Sequence, residues 1–119
     1  MTSDAPQIVR EPISLAEVRD LARRRFGDMV KASVDIARGV LAVGGELHSD
    51  EEALLLADGS RQADIWGINI YPDESGDAWI EFDSMINVRP AQGNRSRGVE
   101  DPNVRSAIRG VVSSLVRRS

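Results

Sequence analysis

Asn87, Arg89, Gln92, Asn94, Arg95, Ser96 and Arg97 fall within the short stretch NVRPAQGNRSR. Three guanidinium groups interleaved with amides suit the holding of an anion. Arginine forks bind carboxylate or phosphate bidentately, and amides add neutral donors and acceptors. Residues 91–98 contain almost nothing apolar, so hydrogen bonds must give this loop its shape. A helix is expected to begin just after it, and the positive end of a helix dipole favours an anion. Arg89, Arg95 and Arg97 are therefore the expected clamps, with Gln92 and Asn94 orienting the ligand. The competing reading is internal: the same arginines pair with Asp83, Glu100 and Asp101 and hold a long loop down. No phosphate-loop consensus is present.

A second constellation lies in GGELHSDEE. Glu46, His48 and Asp50 alternate, so in a strand all three would project from one face. Carboxylate plus imidazole is a ligand set for zinc, manganese or iron. His48 is the only histidine and cysteine is absent, which excludes a structural zinc site of nitrogen and sulfur ligands. Alternatively His48 acts as a general base oriented by Glu46 or Asp50. The plainer reading is a hydrogen-bonded histidine near a sheet edge. Glu51 and Glu52 read as the acidic first turn of a helix.

Weaker signals accompany these two. Trp66, Tyr71 and Trp79 could stack on bases, but with few aromatics and no basic stripe they read better as core or interface packing. Ser96 lacks the G-x-S-x-G context of a nucleophilic serine. Arg19, Arg23 and Arg24 fall mainly on the solvated face of the first helix and offer a surface for a protein or nucleic-acid partner.

The 119 residues are the size of one domain, with 41% hydrophobic and 29% charged residues and a net charge of −4. The acidic balance argues against a general nucleic-acid binder. No run approaches the roughly 18 apolar residues needed to span a bilayer, and the N-terminus has no signal-peptide core. A cytoplasmic location is expected. Lys31 is the lone lysine among many arginines.

The elements that must position these residues follow from period and punctuation. Residues 1–7 are expected to form a flexible tail, and 8–119 a single globular domain. ISLAEVRDLARRRFG is a helix capped by Ser14 and Glu17, with Ile13 stapled onto Val18. MVKASVDIARGVLAV alternates and carries Ala37-Arg38-Gly39, a three-residue turn between two strands. SDEEALLLADGS reads as a short helix capped by Ser49 and Glu52. DIWGINIYP and AWIEFDSMINVRP read as an antiparallel pair, the second strand closed by Pro90. Asp101 and Pro102 open a last helix striped by Val104, Ile108, Val111, Val112 and Leu115. The fold class is α+β: an antiparallel sheet of about four strands, with the N- and C-terminal helices mainly on one face.

The phrases FGDMVKASVDIARG, GGELHSDEEALLLADGSRQADIWGINIYP and WIEFDSMINVRPAQGNRSRGVEDPNVR together resemble the small prokaryotic proteins of DUF5674, a domain of unknown function. The likeness runs from about Ile8 to Val116 and implies a complete stand-alone domain. The family has no assigned activity, cofactor or catalytic residue to carry over. The leading expectation is a binding module for a small anionic ligand. The alternatives are a metal-assisted or His-based hydrolase using Glu46, His48 and Asp50, and a regulatory protein with a macromolecular partner. A homodimer through a strand edge or the Trp66 and Trp79 surface is also expected; the identities of metal and cofactor are left open.

Overall fold

Ser14 has extended backbone and its hydroxyl accepts from the Glu17 N–H at 3.1 Å, which starts helix α1 at Leu15–Arg25. Val18 and Ala22 form its buried stripe, and the chain leaves through Gly27. A computed structural model describes residues 5–118. Strands β3 (Val30–Asp35) and β4 (Val40–Val43) form the expected hairpin. Its turn is set by the Asp35 carboxylate, which accepts from the Ala37 and Arg38 amides at 2.9 and 3.0 Å, and by Gly39 at φ +68°.

The sheet has five antiparallel strands in the order β1-β4-β3-β5-β6, with β1 at Gln7–Val9, β5 at Ile65–Ile70 and β6 at Ile80–Glu81. The unforeseen strand is β1, whose Gln7 pairs with Val43, so the sheet begins inside the stretch expected to be a tail. Residues 1–4 of that expected tail lie outside the described residues. Two further residues, Ile13–Ser14 (β2), pair in parallel with Val116–Arg117 (β7) and tie the two ends of the fold together. No helix of the described residues is long and apolar enough to cross a membrane.

One sheet face is apolar. Val30, Ala32, Val34, Leu41, Val43, Trp66, Ile68 and Ile70 meet α1 and the C-terminal helix α3 (Pro102–Leu115) there. Both tryptophans are buried in that cluster, Trp66 at 5% and Trp79 at 8% exposed, so neither ring presents the exposed surface expected of it. Asp101 caps α3 through the Asn103 amide at 2.8 Å, as its position before Pro102 suggests. The opposite face is covered by helix α2 (His48–Ala57), where Leu54 and Leu55 meet Ile8, Val40, Ala42 and Ile65. This face also carries Ser33, Asp35, Gly67 and Asn69, a polar set for a sheet interior.

Residues 78–88 are not the long strand their alternation suggests. Pairing stops at Glu81, and Ser84 accepts from the Ile86 amide at 3.2 Å to open a 3-10 turn at Met85–Asn87. The side-chain amide of Asn87 then takes the place of a strand: it accepts from the Gly67 N–H at 2.8 Å and donates to the Gly67 carbonyl at 2.9 Å. Such close approach demands a glycine, since a Cβ at residue 67 would lie 2.6 Å from both the Cβ and the Oγ of Ser84. Gly67→Ala is expected to cost about 1–3 kcal/mol by overpacking. Gly110→Ala, in an exposed turn of α3 with nothing within 4 Å, is expected to gain about 0.5–1 kcal/mol. Urea unfolding of the two variants beside the wild type measures both.

Candidate functional site

The arginine loop is built mostly from its own hydrogen bonds. Arg89 and Asn94 form an antiparallel bridge, closed by a 3-10 turn at Pro90–Gln92 and the left-handed Gly93. Asn94 is buried: its Nδ2 donates to the carbonyls of Asn87, Ser96 and Gly98, and its Oδ1 accepts from the Glu100 amide at 2.9 Å. Glu100 in turn accepts from the Arg95 and Ser96 amides at 2.8 and 2.9 Å, and these two bonds hold its carboxyl below the ordinary range.

The three arginines have different fates. Arg89 is half-buried, and its guanidinium donates to the carbonyls of Ile86, Ala63 and Ile65 while lying 4.7 Å from the centre of the Trp66 ring. Glu52 stands 3.9 Å away. These partners occupy the fork, and Arg89 works as a staple. Gln92 donates to Ala63 at 3.2 Å in the same role. Arg95 is exposed on the loop and near Glu100. Arg97 alone turns toward the second constellation. Its Nε donates to Asp83 at 2.6 Å, and its terminal nitrogens make no hydrogen bond among the described residues.

That second constellation is rearranged by helix formation. His48 is the first residue of α2, not a strand position, so Asp50 sits about 200° round the helix from it. Asp50 is exposed, and Glu46 lies in the preceding loop with Arg25 at 4.0 Å. The three do not converge. Among the described residues no group of three or more His, Cys, Asp or Glu side chains could hold a metal ion. The helix also starts one residue before the cap expected of Ser49: Leu47 is the N-cap position, and no side chain caps it.

His48 itself is 8% exposed, with Nε2 2.7 Å from the Ile68 carbonyl. A carbonyl only accepts, so Nε2 carries the proton and Nδ1 keeps its lone pair, without a partner among the described residues. Burial pushes the imidazole below its ordinary pKa, and the charges of Lys31 and Arg97 add to this.

His48 and Arg97 line one cavity of about 140 Å³, together with Lys31, Leu47, Ser49, Ser84, Met85 and Ile86. Lys31 makes no ion pair among the described residues; its ammonium lies 5.4 Å from the centre of the Phe26 ring. The cavity thus joins α2's first turn, β3 and the segment folded against Gly67. The arginines of α1 stand apart from it, Arg19 pairing with Asp73 at 2.7 Å and Arg24 with Asp20 at 2.5 Å.

A family model described as a protein of unknown function, DUF5674, matches residues 7–115. The chain belongs to this family. No curated protein and no solved structure matches it. For this DUF5674 chain the site is therefore read from its own geometry.

Six members of the cavity escaped the sequence reading: Lys31, Leu47, Ser49, Ser84, Met85 and Ile86. Lys31 had a usable signal, being the sole lysine and on the polar phase of an alternating strand. Glu51 belongs to the acidic first turn of α2, as its place in the sequence suggests, and it is fully buried there. Its carboxyl accepts from the Gly45 amide at 2.9 Å and meets the Ser33 hydroxyl at 3.1 Å, and Ser33 also reaches the His48 carbonyl at 3.4 Å. Burial pushes Glu51 up to about 8.

This shift has a direction. The unfolded chain releases the Glu51 proton near 4.5 and the folded protein only near 8, so between these values the folded state alone keeps it. Glu51 therefore makes stability fall as pH rises through this window, by on the order of a few kcal/mol, and level off above it. Glu51→Gln keeps the shape and removes the ionisation. Urea unfolding from pH 4.5 to 8 should give a wild-type-minus-variant difference that declines steadily across the range.

Proposed function

We propose that this chain is a binding module for a small anionic ligand, held in the cavity between α2 and the Ser84 to Arg97 segment. One observation carries the reading. The only lysine and an arginine with uncommitted terminal nitrogens line the same small cavity, beside His48. Arginine offers a fork, lysine a point charge, and the Ser49 and Ser84 hydroxyls add donors. The first amides of α2 lack a side-chain cap, which favours negative charge nearby. Asp83 holds Arg97 in place without neutralising Lys31.

Inorganic phosphate is the first probe. Bound at a hundred times its Kd, it should add about 2.7 kcal/mol to stability. Arg97→Ala and Lys31→Met should each remove the thermal shift, while Arg23→Ala on α1 should keep it. If neither phosphate, sulfate nor a carboxylate raises Tm, the reading fails.

A second reading, a His-based hydrolase, is favoured by the ring's geometry. The Ile68 carbonyl orients the imidazole, and its lowered pKa leaves Nδ1 unprotonated and ready to take a proton from water. Glu46 and Asp50 have no part in this version. Phosphate-ester turnover should then rise with pH through a pKa below 6.5 and disappear in His48→Gln. A rate that survives the substitution would end this reading while leaving the binding module intact.

A further inference from the structure

We infer that the ligand of this cavity is an organic anion, a phosphate or carboxylate joined directly to an apolar body. The inference rests on the anion-binding reading and adds the ligand's other half. Five large hydrophobic side chains are exposed among the described residues: Phe26, Leu47, Leu56, Met85 and Val88. Leu47 at 52% and Met85 at 65% are the most exposed, and both line this cavity. Scattered exposed hydrophobics are ordinary; two that converge on the mouth of a cationic cavity mark a binding surface.

The two side chains come from different elements. Leu47 is the N-cap position of α2, and Met85 opens the 3-10 turn at Met85–Asn87, with the half-buried Ile86 beside it. Lys31 lies on β3 and Arg97 on the arginine loop, so charge and apolar surface reach the cavity from four segments. Size limits what enters. At about 140 Å³ the cavity is well below the roughly 300–1,000 Å³ of pockets that enclose whole drug-sized ligands. It accommodates a head group, and the remainder of the molecule must lie at the mouth, where Leu47 and Met85 supply apolar contact. Methionine is unbranched and polarisable, which suits a flat or short apolar body without strict shape matching. A free inorganic anion would leave both side chains in water.

The test is calorimetric titration of the full chain with two matched pairs, inorganic phosphate against phenyl phosphate and acetate against benzoate. In at least one pair the aryl anion should bind about tenfold more tightly, the gain expected when about 55 Å² of apolar surface leaves water. The double variant Leu47→Ser, Met85→Ser should lose this advantage and keep the affinity for the simple anion. Both positions are exposed, and circular dichroism confirms that the variant folds. If simple and aryl anions bind alike in the wild type, or the double variant keeps the preference, the inference is overturned while Arg97-dependent anion binding stands. If no anion binds at all, the anion-binding reading and this inference fall together.

Discussion

Much of this fold hangs on a side chain acting as a strand. The amide of Asn87 pairs with both backbone groups of Gly67, closing the edge of β5 beyond the two residues that β6 covers. The same Nδ2 also holds the Arg97 carbonyl at 2.9 Å. A buried peptide group left unpaired costs about 1–3 kcal/mol, so this one amide secures both backbone groups of Gly67. Gly67 answers with an absent side chain, and Ser84 fills the space. From this contact outward, Met85, Ile86 and Arg97 acquire their places beside α2.

The two sheet faces differ in what they bury. The face under α1 and α3 is apolar and holds the larger core. The face under α2 buries polar groups in a connected set: Gly45 N–H to Glu51, Glu51 with Ser33, Ser33 near the His48 carbonyl, and His48 to Ile68. With Glu51 protonated, the carboxyl can donate to Ser33 and free the Ser33 hydroxyl to donate to His48. Each member then has a consistent donor and acceptor role, which is the condition for a buried network to rigidify a site. Removing water from Glu51 is thus part of fixing His48.

The sequence was most readable where local chemistry decides structure. Ser14, Asp101 and Pro102 mark the helix starts, Gly39 marks the hairpin, and the alternation through Ile65 to Ile70 is the strand observed. It misled where a short-range pattern competed with distant partners. Glu46, His48 and Asp50 alternate like a strand, but Leu54 and Leu55 have apolar surface to cover and draw the segment into a helix. Residues 78–88 alternate too, yet Ser84 and Asn87 bond to backbone groups and stop the ladder. Arg89 and Arg97 look equivalent in a loop of similar residues. Only the carbonyls of Ile65 and Ala63, brought in from 24 and 26 residues away, separate the staple from the cavity arginine. No local pattern encodes that distinction.

The solitary lysine has a practical corollary. Because every other basic side chain except His48 is a guanidinium, Lys31 is the single side-chain amine, and it stands in the cavity wall. Reagents that acylate amines, including metabolic acyl donors, therefore meet one internal target rather than a scattered surface population. Attachment there would convert the cation in the cavity wall into a neutral amide. The degree of labelling at Lys31, assigned by peptide mass to separate it from the α-amine, then reports how open the cavity wall is to solvent.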